Sequence, residues 1–157
     1  MQKITPFLWF NDQVEEAVNF YTKVFKNSKV KSITRYGDAG PGPKGSVMTA
    51  RFLLEGQEFV ALNGGPVFTF TPAISFVVNC RTQPEIDRLW EKLSAGGEKM
   101  ECGWLKDRYG VSWQIVPDIL SKVLTDPDTR RTNRVMLAIL KMKKLNIAKL
   151  KKAYGKK

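Results

Sequence analysis

Few side chains in this sequence could do chemistry. It has no histidine, so no nucleophile can be activated by an imidazole and the familiar zinc sites built on histidine are excluded. Two cysteines, Cys80 and Cys102, cannot make a structural zinc site alone. A general base would have to be a carboxylate, lysine, tyrosine or cysteine. Cys102 precedes Gly103-Trp104, with Lys106 and Arg108 close in sequence. It is a reactive thiolate if a cation or helix N-terminus lowers its pKa, and a buried inert thiol otherwise. Cys80 sits in an apolar run and reads as core. Asp107 opens the turn Asp107-Arg108-Tyr109-Gly110. There its carboxylate can bond turn amides while Gly110 takes the awkward backbone angle; acid–base work is the alternative. Glu15 and Glu16 read as solvated at a helix start, and Glu58 has no carboxylate partner nearby.

Other residues suit binding. Trp9, Trp104, Trp113 and Tyr109 fall near strand ends, where they either line a cleft for a flat or hydrophobic ligand or pack in a core or dimer interface. Ser112 and Gln114 share one strand face, from which Trp113 alternates away. They can bond a ligand, or the amide can be satisfied by backbone. The only glycine-rich segment, Gly40-Pro41-Gly42-Pro43-Lys44-Gly45, lies between two expected strands, and its prolines remove amide donors that a phosphate or cofactor cradle needs. It reads as a hairpin loop.

The elements that must position these residues follow a repeated order. Ile4 to Phe10 reads as a strand covered on both faces. Asn11-Asp12 offers a helix cap, and Val14, Ala17, Val18, Tyr21, Val24 and Phe25 recur at helical spacing. Lys29 to Tyr36 alternates as a strand. Ser46 to Leu54 and Gln57 to Leu62 form a hairpin through Glu55-Gly56, closed by Asn63-Gly64-Gly65-Pro66. The order then restarts: Ala73 to Cys80 is a strand, and Thr82 with Glu85 makes a capping box for a helix bearing Ile86, Leu89, Trp90 and Leu93. Short strands follow at Gly103 to Lys106 and Val111 to Val116. This second unit reads as the first one shortened. The remaining chain is helical: Asp126 can cap with Pro127 at the first helical position, Val135, Ala138, Ile139, Met142 and Leu145 form a stripe, and Asn146 can cap a last helix.

The 157 residues suit one domain with a real core. Of the net charge of +11, residues 128–157 contribute 11 basic side chains against one acidic, while residues 1–127 are nearly neutral. A basic tail can mean nucleic acid, an anionic membrane surface, or simply a solvated lysine-rich face. Arg130, Arg131 and Arg134 start it and the pairs Lys143-Lys144, Lys151-Lys152 and Lys156-Lys157 end it. Only Tyr154 is interleaved with the lysines and no reading motif is present, so nucleic acid is not the expected partner. No run approaches the roughly 18 apolar residues of a spanning helix, the N-terminus lacks a signal-peptide pattern, and the cysteines suit a reducing compartment. The expectation is a cytoplasmic protein with no membrane partner.

Four segments carry a family likeness: Pro6-Phe7-Leu8-Trp9-Phe10, Glu16-Ala17-Val18-Asn19-Phe20-Tyr21, Ala61-Leu62-Asn63-Gly64-Gly65-Pro66, and Cys102 through Gln114 (CGWLKDRYGVSWQ). The chain resembles the PhnB-like, or 3-demethylubiquinone 3-methyltransferase-like, branch of the vicinal oxygen chelate superfamily. That superfamily includes glyoxalase I, extradiol dioxygenases and the fosfomycin- and bleomycin-resistance proteins. The resemblance covers about residues 2–117 and the helical tail. It implies an α+β fold of two βαβββ modules, about 1–66 and 67–117, forming one domain over 1–117 that encloses a cleft. Residues 118–157 would be a basic C-terminal helical extension packed on the body or a partner subunit, and the assembly a homodimer. The superfamily's metal positions would fall near Thr5 or Pro6, Ala61 or Asn63, Ala73, and Gln114. Only Gln114 and Asn63 could ligate there, and two neutral amides are too few for a divalent ion.

The expected function is therefore binding of a small hydrophobic or aromatic molecule in the cleft, with no metal and no other cofactor, as in bleomycin-resistance proteins. Candidate cleft residues are Trp9, Asn63, Cys102, Trp104, Ser112 and Gln114; no residue is assigned a catalytic role. The alternatives are a metal-dependent glyoxalase- or dioxygenase-type enzyme and a nucleic-acid-binding module working through the tail.

Overall fold

A computed structural model describes residues 2–155; the pair Lys156-Lys157 lies outside them. The chain divides between Phe70 and Thr71 into two compact units. The first contains β1 (Phe7–Phe10), α1 (Val14–Val24), β2 (Ser28–Arg35), β3 (Val47–Leu54) and β4 (Gln57–Asn63). Its sheet runs β1-β4-β3-β2, with β1 parallel to β4 and the other pairs antiparallel. The buried stripe of α1, Val14, Ala17, Val18, Tyr21 and Val24, belongs to the same core as Ala50 and Phe52 of β3 and Phe59 and Ala61 of β4. Tyr21, Phe52 and Phe59 stack in sequence, with ring centroids 6.4 and 5.6 Å apart. Glu55 and Gly56 both take positive φ, 47° and 82°, which lets two residues reverse the chain with the twist a hairpin requires.

Two expectations for this unit change. β1 begins at Phe7 and is covered on one face: Leu8 and Phe10 are buried, whereas Phe7 is 59 % exposed, because the helix covers only one side of the sheet. Asn11 and Asp12 do not cap α1. The cap position is Gln13, whose side chain makes no capping bond.

The second unit repeats the order with β5 (Ser75–Cys80), α2 (Gln83–Ser94), β6 (Glu98–Lys99), β7 (Trp104–Lys106) and β8 (Ser112–Pro117), arranged β5-β8-β7-β6. The second module is thus complete, not shortened in order. The strand unforeseen in the sequence, β6, has two residues, both exposed, so no apolar alternation marks it. Thr82 caps α2 by accepting from the Glu85 amide, and Glu85 reaches back to the amide of Arg81.

Three helices follow: α3 (Ile119–Leu124), α4 (Thr129–Leu140) and α5 (Ile147–Gly155). α4 starts later than expected because Asp126 is engaged elsewhere, accepting from the Asp128 amide and the Tyr154 hydroxyl. Asp128 caps instead. Asn146 caps α5. Leu120, Val123, Val135, Ile139, Leu145 and Leu150 form a core of their own, against which Cys102 and Val116 pack. The amides of Cys102 and Gly103 donate to Met142 and Lys143, and Gln83 bridges Leu145 and Ile147. No helix of the described residues is long and apolar enough to cross a membrane.

Candidate functional site

Opposed residues on neighbouring strands share a sheet face, so the registers define what each open face presents. In the first unit, on the face turned from α1, Phe7, Val60, Arg51 and Ser32 make one row and Trp9, Leu62, Thr49 and Thr34 the next. Trp9 is locked: its indole N–H donates to the Gly65 carbonyl at 2.9 Å and its ring meets Phe68 edge-on at 5.0 Å. A Cβ on Gly64 would come within 2.3 Å of that ring, so only glycine permits the approach. Glu58 lies buried on the same face, 2.9 Å from both Lys31 and Arg51. The hydrogen bond from Lys31 and the charge of Arg51 hold its carboxyl below the usual glutamate range despite burial.

Asn63 is not on this face. Its Oδ1 accepts from the Val14 amide at 3.0 Å and its Nδ2 donates to the Val47 carbonyl at 3.1 Å, so it supplies the cap that Asn11 and Asp12 do not. Its backbone carbonyl accepts from the Tyr36 hydroxyl. A cavity of about 530 Å³ opens here, lined by Asp12, Glu15, Arg35, Tyr36, Pro43 and Asn63 among others. The glycine-rich loop borders it. A Cβ on Gly40 or Gly42 would fall 2.4 Å from the Tyr36 ring, so these glycines exist to pack on an aromatic side chain.

In the second unit, Ser75, Ser112 and Lys106 make one row and Val77, Gln114 and Trp104 the next. The Gln114 amide donates to Ser75 Oγ at 2.9 Å. Ser112 is 1 % exposed and its hydroxyl has no hydrogen-bond partner. The opposite face carries Trp113, whose indole N–H donates to Asp107 Oδ2 at 2.9 Å. Asp107 Oδ1 also accepts the amides of Tyr109 and Val111, so its carboxylate organises the β7–β8 hairpin. Cys102, at φ 61°, packs against the tail core. Burial pushes the Cys80 thiol up to about 12, which removes it as a nucleophile.

Of the six candidates, Trp104, Ser112 and Gln114 come together on one sheet face. Trp9 and Asn63 lie in the other unit on opposite faces of its sheet, and Cys102 is held by the tail. Ser75 is not singled out by sequence, and Glu58 figures there only as a carboxylate without a carboxylate partner. Ser75 becomes visible only through the parallel β5–β8 register, and Glu58 only through its two cations.

A family model described as 3-demethylubiquinone-9 3-methyltransferase matches residues 2–116. The chain belongs to this family. A PhnB protein of Bacillus cereus is 45% identical over 74% of this chain and 99% of its own, with a TM-score of 0.68. A Pseudomonas aeruginosa protein is 24% identical over 75% and 98%, with a TM-score of 0.63. The fosfomycin resistance protein FosX of Listeria monocytogenes, 15% identical over 74% and 93% at a TM-score of 0.52, shares the fold. Among curated proteins none matches. The architecture is that of the vicinal oxygen chelate superfamily.

This PhnB-like chain does not offer the superfamily's divalent ion a fitting donor set. Thr5 and Pro6 precede β1, Ala73 precedes β5, and Ala61 is fully buried in the helix-side core. The oxygen of Asn63 is committed to α1. The open-face residues nearest these positions include the apolar Phe7, Trp9, Val60, Leu62 and Val77; Ser75 and Gln114 offer only neutral oxygens, and the carboxylate of Glu58 is taken by Lys31 and Arg51. Among the described residues no group of three His, Cys, Asp or Glu side chains could hold a metal. Nor, among the described residues, does the family's methyltransferase description find a glycine-rich strand-to-helix turn: the glycine-rich loop Gly40–Gly45 joins β2 to β3 and packs on Tyr36.

Proposed function

We propose that this PhnB-like protein binds a small aromatic or hydrophobic molecule without a bound metal, as a homodimer in the cytoplasm, with residues 1–117 acting as one binding domain. The observation that carries this reading is the hydroxyl of Ser112, buried and without a partner. Leaving such a group unpaired costs about 1–3 kcal/mol, a cost that a ligand oxygen or nitrogen would remove on displacing the side chains that cover it. Gln114 beside it spends one N–H on Ser75, which leaves the amide oxygen and the Ser75 proton for a ligand. Trp104 stands opposite Gln114 as an aromatic wall; Trp9, on the open face of the first sheet, is a separate aromatic surface of the first unit. Asn63 and Cys102 serve as supports, one holding α1 and the other the tail. The exposed Phe7, Phe68 and Val77 favour burial against a second copy, and two free thiols suit a reducing compartment.

The test is a thermal-shift screen with aromatic and hydrophobic small molecules on the parent and on Ser112→Ala. Without ligand the variant should be at least as stable as the parent, because it loses an unsatisfied hydroxyl; with ligand it should lose most of the shift. A screen in which no compound raises the melting temperature would sink the reading. A stoichiometric divalent ion in the purified protein would favour a metal-dependent enzyme.

A further inference from the structure

The tail's charge has a second feature beside it. α4 turns Val135 and Ile139 into the tail core and leaves Met136, Leu137 and Leu140 exposed by 42, 59 and 58 %. Met136 and Leu137 precede Leu140 by four and three residues, so all three run along one helix flank. Arg130, seven residues before Leu137, and Lys141, four after it, extend that flank; both are exposed. Two of the tail's three carboxylates are occupied: Asp126 and Asp128 face Arg130 and Arg131, while Asp118 stands at the start of α3. On neighbouring elements, Asp87 takes Lys144 and Glu101 takes Lys143. Among the described residues Lys141, Lys149, Lys151 and Lys152 make no ion pair and stand exposed.

Contrary to the sequence expectation of no membrane partner, we propose that this flank of α4, with the lysines of α5, docks the protein on an anionic lipid bilayer. Exposed cations of the tail are drawn to the negative leaflet, and the apolar side chains of α4, with Arg130 and Lys141 along their flank, enter the headgroup boundary. Each alternative occupant uses only part of the surface. A nucleic-acid backbone takes the charge and has no use for three apolar side chains. A second copy presents the same excess of 11 basic residues over one acidic in residues 128–157 and is repelled. Three side chains are too small a centre for a protein interface, which buries about 800 Å² per partner. A bilayer takes both the charge and the apolar strip without needing a shaped groove.

The test is co-sedimentation of the full chain with vesicles of phosphatidylcholine alone and with vesicles containing about one-third phosphatidylglycerol. Binding is expected only to the anionic vesicles, weakening as salt rises. Leu137→Asp with Leu140→Asp should lose at least about tenfold in affinity. Lys149→Gln with Lys151→Gln and Lys152→Gln should lose about a hundredfold. All five positions are solvent-facing, and circular dichroism checks that the variants stay folded. No binding to anionic vesicles at low salt overturns the proposal. So does full binding by the leucine variant, and in that case duplex DNA that displaces the vesicles equally from parent and variant identifies a charge-only nucleic-acid surface.

Discussion

Asn63→Ala separates a supporting role from a ligand role at one residue. The carboxamide caps α1 from 49 residues away and donates to the carbonyl of the buried Val47. Losing a cap costs about 1 kcal/mol, and leaving the Val47 carbonyl without its donor costs about 1–2 kcal/mol more. The expected loss is about 2–3 kcal/mol, read as a lower urea midpoint at unchanged slope, or a fall of about 5–10 °C in melting temperature. Asn63→Asp keeps an acceptor at the helix start, where the dipole favours a negative charge, but cannot donate to Val47 while ionised. It should recover about 1 kcal/mol of the loss. If Asn63→Ala instead unfolds within about 0.5 kcal/mol of the parent while abolishing ligand binding, Asn63 is a ligand group and the reasoning is wrong.

Asp107→Ala strips the acceptor from two amides and an indole N–H and should cost about 3–5 kcal/mol by urea denaturation; an unaltered midpoint would reopen a chemical role for this carboxylate. Glu58 has a folded-state pKa below its ordinary value. Its contribution is therefore fully present above the unfolded value of about 4.3 and lost as pH falls through the lower folded value. The stability gap between the parent and Glu58→Gln should be constant near neutrality and close only at acid pH; a gap that closes near neutral pH would contradict the ion-pair assignment. The Cys80 thiol, fully buried and pushed up to about 12, should resist alkylation at mildly alkaline pH until the protein is unfolded, as mass spectrometry after native and denatured labelling would reveal.

The module order was legible because its signals are local. Thr82 and Glu85 mark a helix start within four residues, and Glu55-Gly56 marks a turn by itself. What stayed hidden depends on distant partners. Asn63-Gly64-Gly65-Pro66 reads as a turn, and nothing in it announces that Asn63 will cap a helix far earlier in the chain. Asp126 and Asp128 are equally good caps by type, and the choice is made by Tyr154 on α5, which takes the first of them. The candidate site divides similarly. Ser112 and Gln114 share a face by alternation alone, whereas the contribution of Ser75 needed the register of two strands some forty residues apart.

The same logic explains why two modules of identical topology share so little sequence. Both must fasten the hairpin between their third and fourth strands, and each does so with an acidic side chain accepting main-chain amides. In the first, a two-residue turn leaves little to hold, and Glu55 reaches sideways to the amide of Lys26 beyond α1. In the second, the longer turn from Asp107 to Gly110 needs internal bracing, so Asp107 takes amides of its own hairpin and the indole of Trp113. Order and handedness follow from strand pairing and helix packing, which many apolar side chains can satisfy. The polar fasteners depend on turn length, and turn length differs between the halves. A repeat of this kind keeps its topology while its polar residues diverge, and the open sheet faces, which neither fastener uses, are free to change their ligand groups.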